Sequence, residues 1–336
     1  MGYRFTAAAF NQLLESLREK YRVYAPTLLK GKGKFSDTDL VGYAEISKIE
    51  DVVFNQKSYF SPKETFYPVT QRLFYFNENG FSESVVDEKG MIVFLRACDI
   101  QAVERLDKIM LENGPSADYY YERLRNKLKM IVMDCQESFD SCFCVSMGTN
   151  KTENYSASVR LENGVYLSDV KEDIEGLFAF HGETIEVSPK FVESNKQSVK
   201  VPENLVLESV AANPIWEEYG SRCIACGRCT VVCPSCSCYT MQDIFYDDNP
   251  KCGERRRVWA SCQIDGFTDM AGGHSFRRNN GERMRFKVMH KIKDFKQRFG
   301  VHMCVGCGRC DNACPEYISL AHCIDRLGKE EAENRG

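Results

Sequence analysis

At 336 residues the chain has room for two domains, and its 43% hydrophobic and 12% aromatic content can supply packed cores. The formal net charge of −4 excludes a general nucleic-acid binder, which carries a strongly basic balance, and no apolar run reaches the ~18 residues that a membrane helix needs. Seventeen cysteines in a chain this long, without an apolar leader, read as metal ligands and buried thiols of a reducing cytoplasm rather than a secreted disulfide scaffold.

The first element is an amphipathic helix with Phe5, Phe10, Leu13, Leu14 and Leu17 on one face. An extended piece at 21–25 follows, then a loop through Gly31-Lys-Gly33 that lacks the spacing of a phosphate loop. β-Branched and aromatic residues predict strands between 52 and 76, closed by a turn at Glu78-Asn79-Gly80. Met91-Ile-Val-Phe-Leu95 and Met130-Ile-Val-Met133 are continuous apolar runs, as expected of strands buried on both faces. Helical spacing over 100–111 and 119–128 lies between them, and the strand–helix–strand order predicts a parallel pair. A hairpin is expected around Glu162-Asn-Gly164. Residues 1–212 therefore read as an α/β domain with a partly parallel sheet.

Four cysteines fall inside that domain. Cys98 and Cys135 each follow one of the buried strands, so parallel neighbours bring both thiols out on one crest of the sheet, where open α/β sheets bind ligands. Cys142-Phe-Cys144 follows on the next loop. Four thiolates suit a third 4Fe-4S cluster or zinc, and simple packing of buried thiols is the alternative.

Near Pro214-Ile-Trp216 the composition turns Cys-rich and helical, which sets a domain boundary between 212 and 213. Two near-identical runs follow, Cys223-Ile-Ala-Cys226-Gly-Arg-Cys229-Thr-Val-Val-Cys233-Pro234 and Cys304-Val-Gly-Cys307-Gly-Arg-Cys310-Asp-Asn-Ala-Cys314-Pro315. Each is the C-x2-C-x2-C-x3-C-P run of bacterial ferredoxins, in which three thiolates from one tight loop cap one cube and the fourth cysteine ligates the other cube. One 4Fe-4S cluster is thus assigned to Cys223, Cys226, Cys229 and Cys314, and the second to Cys304, Cys307, Cys310 and Cys233. Between the runs, Met284, Val288, Ile292 and Phe295 recur at helical spacing, and 318–327 also reads helical. Residues 213–336 are therefore expected to form an α-helical ferredoxin-type domain. Cys236, Cys238, Cys252, Cys262 and Cys323 read as packing thiols that can shield the clusters.

Basic residues cluster at Arg255-Arg-Arg257, Arg277-Arg278, Arg283, Arg285, Lys287 and Lys291. They read as a solvated helix face or as a docking surface for a partner protein. No glycine-rich fingerprint follows a strand, so no dinucleotide site is expected, and neither FAD nor siroheme is assigned to this chain. Redox centres without a substrate pocket describe an electron conduit.

The chain resembles the iron–sulfur electron-transfer subunits of anaerobic sulfite reductases and, more distantly, the iron–sulfur β subunits of sulfhydrogenases. The markers are Phe35-Ser-Asp-Thr-Asp39, Arg96-Ala-Cys-Asp99, the segment from Cys142 to Asn150, both cysteine runs, Trp259-Ala-Ser-Cys262 and Asp269-Met-Ala-Gly-Gly-His274. The resemblance implies a cytoplasmic complex in which this chain passes electrons from a flavin subunit that oxidises a nicotinamide nucleotide to a siroheme subunit that reduces sulfite to sulfide. The alternatives are the equivalent subunit of a hydrogenase or sulfur reductase and, from another class, a zinc-stabilised interaction module.

Overall fold

The computed structural model describes residues 1–33, 35, 37–246 and 249–333; Ser36 of the first family marker lies outside them. Twelve strands among these residues are β1 (Gly2–Phe5), β2 (Tyr21–Leu29), β3 (Leu40–Glu45), β4 (Thr70–Asn77), β5 (Gly80–Glu83), β6 (Gly90–Leu95), β7 (Leu128–Met133), β8 (Ala157–Glu162), β9 (Val165–Asp169), β10 (Glu183–Ile185), β11 (Tyr239–Tyr246) and β12 (Asn249–Trp259). Eight of them form one mixed sheet in the order β10-β1-β9-β8-β7-β6-β2-β3. Its centre is parallel, with β2 beside β6, β6 beside β7 and β7 beside β8, while the outer pairs are antiparallel. The apolar runs of β6 and β7 sit in this centre because both faces are covered. On one face the helix Ala7–Lys20 packs Phe10, Leu13, Leu14 and Leu17 against Ile92, Phe94 and Ile131. On the other, the helix Ala97–Met110 brings Ile100, Val103 and Leu106 onto Val93, Leu95 and Val132.

Two local expectations change, and the two expected turns hold. Phe5 belongs to β1 rather than to the first helix, which starts after the Thr6 cap, where the Thr6 hydroxyl accepts the Ala9 N–H. Between 52 and 76 only β4 is a strand; 52–69 is loop with a short 3₁₀ turn at Pro62–Thr65, since proline opens that turn and cannot join a ladder. The turns at 78–79 and 163–164 connect hairpins, the second through Asn163 and Gly164 at φ 51° and 76°.

Residues 213–333 are not all helical. Around the cysteine runs lie the helices Ile215–Arg222, Arg228–Val231, Asn280–Met289, Phe295–Phe299, Arg309–Ala313 and Leu320–Glu333. Between the runs, however, β11 and β12 form a long antiparallel ladder, and β12 pairs with β4, giving a second sheet in the order β11-β12-β4-β5. The division at 212/213 is thus bridged by a hydrogen-bonded ladder. Arg255 and Arg257 belong to this ladder. Arg255 pairs with Asp243, and the buried Arg257 reaches Asp118 and Gln71, both at 2.7 Å.

A second joint is ionic. Arg309, next to Cys310, sends its guanidinium to both carboxylate oxygens of Asp99 at 2.6 and 3.0 Å and to the Ser58 carbonyl and hydroxyl at 3.1 and 3.0 Å. The two side chains are 2% and 0% exposed. Removing one partner of such a pair leaves a buried charge and costs about 3–5 kcal/mol. We expect Asp99→Asn to lose that much in anaerobic denaturant unfolding of the full chain, and Asp99→Leu with Arg309→Met to recover much of it. A single substitution within ~1 kcal/mol of wild type would contradict this reading.

Candidate iron–sulfur centres

Each cysteine run is a loop that turns twice through left-handed backbone before a short helix. In the first run these positions are Ala225 (φ 54°) and Gly227 (φ 74°); in the second they are Gly306 (φ 62°) and Gly308 (φ 66°). At both positions of the second run the backbone of another loop presses close. A Cβ on Gly306 would stand 2.7 Å from the Cys144 backbone, and one on Gly308 would collide with the Ser141 carbonyl. The loop carrying Cys142 and Cys144 therefore lies directly on the second run, and Phe143 N–H donates to the Gly306 carbonyl at 2.8 Å.

A cavity is lined by Cys223, Cys226, Cys229, Cys314 and Cys310, with Lys287 among the other wall residues. Burial pushes the Cys223 thiol up, and its thiol neighbours are Cys229, Cys226 and Cys314. Cys304, pushed up to about 12 by burial, has Cys233 and Cys307 beside it. Burial also raises Cys307 and Cys310, and both have Cys233 as a charged neighbour. The fourth cysteine of each run therefore stands with the first three of the other. The two sets differ in exposure: Cys226 is exposed, whereas Cys233, Cys304 and Cys307 are buried.

The first-domain cysteines also gather. Cys98 opens the helix after β6, and Cys135 follows β7, so both stand at the same crest. Burial raises the Cys98 thiol, with Cys144 and Cys307 adding to it. Cys144 is pushed up to about 11 by burial; the Asn195 amide, 3.5 Å from its sulfur, opposes this, while Cys142 and Cys135 add. Lys57 Nζ ties the group to the second run, reaching Ser141 Oγ at 2.6 Å, the Cys307 carbonyl at 2.7 Å and Cys142 Sγ at 3.7 Å.

Sequence reasoning misplaced the basic residues of the helix between the runs. Lys287 and Lys291 are 3% and 2% exposed, and Arg283 is also buried, so these side chains point inward. Lys63, in the 52–69 loop, is 2% exposed; its ammonium donates to the Cys236 carbonyl at 2.8 Å and stands 4.0 Å from the Trp259 ring centroid. None of these three lysines forms an ion pair with a carboxylate among the described residues. Burial lowers the Lys63 ammonium. It acts the same way on Lys287 and Lys291, but the surrounding thiolates more than reverse it. A signal for this was present in the spacing: Lys287 and Lys291 share the face of Met284 and Val288.

Five further cysteines lie outside the three groups. Cys262 Sγ accepts from Gln263 Nε2 at 3.6 Å and stands 4.0 Å from Thr230 Oγ1; a hydrogen bond from the Cys238 thiol draws it down to about 5. Cys236 adjoins Cys233, Cys323 packs in the core beside Tyr219, and Cys252 is half-buried on β12. His302 contributes its backbone carbonyl to Arg105 at 3.1 Å.

Iron–sulfur clusters ligated by thiolates are anionic, and an enclosure with three buried ammonium groups and no carboxylate partner for them among the described residues fits such a group. Among the described residues no three His, Cys, Asp or Glu side chains are spaced to hold one metal ion. No helix among the described residues is long and apolar enough to cross a membrane.

Residues 222–318 match the family model of the 4Fe-4S dicluster domain. Over 339 residues the chain is 28% identical to sulfhydrogenase 2 subunit beta of Pyrococcus furiosus, covering 95% of this chain and 96% of that protein. No solved structure matches the chain. The chain thus combines a mixed-sheet first part with a 4Fe-4S dicluster domain and is similar, over nearly its whole length, to a sulfhydrogenase β subunit.

Proposed function

We propose that this chain is the electron-transfer subunit of a cytoplasmic hydrogenase or sulfur reductase complex, and that it holds three 4Fe-4S clusters in a line. The observation that carries the reading is the contact between the first-domain thiols and the second cysteine run, made through Gly306, Gly308 and Lys57. With it, the crest group adjoins the buried set, and the buried set adjoins the set that reaches the surface at Cys226. Bound clusters supply one-electron steps. The protein's part is to hold the thiolates, exclude water from the middle set and present one ligand to solvent at an end. Cys135, at the other end, lines an open polar hollow with Lys57, Arg96 and Arg160.

The full-length similarity to a sulfhydrogenase β subunit favours this alternative over the sulfite-reducing complex suggested by the sequence markers. The partners are then a flavin-binding protein and a catalytic protein with a hydrogen- or sulfur-reducing centre, in place of a siroheme subunit. Hydrogen uptake by the complex purified through a tag on this chain, with no siroheme absorbance, is the expected result. Siroheme in that complex together with sulfite turnover would restore the other reading.

Two further outcomes test the ligand sets. The chain purified anaerobically should carry about twelve irons, falling to about eight in Cys98→Ser or Cys144→Ser; about eight in wild type would remove the third centre. Cys233→Ser should disturb the same paramagnetic signal as Cys307→Ser. If it instead matches Cys226→Ser, the crossed assignment is wrong.

A further inference from the structure

The helix Asn280–Met289 runs into a π turn, His290–Asp294, before continuing as Phe295–Phe299. Lys287 and Lys291 stand one turn apart across that junction, on the face turned to the cysteines. Lys291 Nζ donates to Cys233 Sγ at 3.3 Å and to Ser235 Oγ at 3.3 Å. Lys287 lines one cavity with Cys229 and Cys310, one from each ferredoxin-type set. The π turn also anchors the second run, because the Lys291 carbonyl accepts the N–H groups of both Met303 and Cys304, at 2.9 and 3.3 Å.

We propose that Lys287 and Lys291 are fixed positive charges that set the reduction potentials of the two ferredoxin-type centres, Lys287 acting on both and Lys291 on the one held by Cys233. The inference rests on the iron–sulfur reading of those cysteines. Its physics is simple. Reduction adds one electron to a centre that is already anionic. Nearby buried ammonium groups, and a hydrogen bond to a ligand sulfur, stabilise that added charge in a poorly screening interior and so raise the potential. Lys291 contributes both effects to a single centre. Lys287 contributes charge to two, which places their potentials under common control at the step where an electron passes from one to the other.

The test is a redox titration followed by electron paramagnetic resonance on the full chain, loaded with iron anaerobically. Lys291→Met should move the midpoint of the Cys233-containing centre to more negative potential and leave the other in place. Lys287→Met should move both in that direction, while Lys287→Arg and Lys291→Arg should stay near wild type. Lys291→Gln, which keeps a donor but loses the charge, should fall between Lys291→Met and wild type. Midpoints unchanged in both methionine variants at full iron content would overturn the proposal. If the methionine variants fail to take up iron, a loaded Lys291→Gln chain with a wild-type midpoint would overturn it equally, leaving the lysines a packing role. A wild-type chain with no reducible centre would instead defeat the iron–sulfur reading beneath it.

Discussion

The buried pair of Arg309 and Asp99 is the constraint on which the arrangement depends. Asp99 sits in the first turn of the helix that leaves β6, one residue after Cys98; Arg309 lies between Cys307 and Cys310. Four hydrogen bonds from one guanidinium leave little freedom between these elements. The planar fork of arginine can satisfy a carboxylate and a neighbouring carbonyl together, which a lysine at 309 could not do. The equivalent arginine of the first run, Arg228, lines a surface cavity with Cys226 instead. The same tripeptide spacing therefore serves as a clamp in one copy and as surface in the other.

Charge explains why the interior tolerates this much polarity. Lys63, Lys287, Lys291 and Arg309 are all buried, yet only Arg309 has a carboxylate partner among the described residues. An unpaired ammonium in an apolar interior is costly enough that it would ordinarily lose its proton or find an anion. Here the available anions are sulfur. Thiolate-bound clusters would supply the lysines with counter-charge and receive it in return. Assembly of the region and loading of its metal are then coupled, as in other metal-dependent domains.

Much of this was legible in the sequence, and the rest was hidden for identifiable reasons. The cysteine runs declare themselves because their spacing is fixed by the shape of a cube. The crest group followed from two apolar strands and the geometry of a strand–helix–strand unit. By contrast, β11 is exposed along almost its whole length, so its residues show no alternation between a buried and a solvated face. Its stability comes from pairing with β12, and β12 is anchored through β4, some 180 positions earlier in the chain. No local pattern carries that information. Arg257 and Lys287 were read as surface because charge is usually solvated. What reverses the expectation is a distant partner: Asp118 for Arg257, and the thiols of both runs for Lys287.

The two cysteine runs also show how a duplication acquires direction. Their backbones turn in the same places, yet Ala225 occupies the position held by Gly306. An alanine can bear the strain of a left-handed residue where nothing presses on its Cβ. At Gly306 the Cys144 backbone takes that space, so only glycine admits the crest loop. The first run leaves Cys226 at the surface. One copy is thereby committed to the interior and the other to solvent, although the cysteine spacing of the two is identical. An electron path with a buried middle and an accessible end would need that asymmetry, and the backbone of the crest loop, packed on the second run, supplies it.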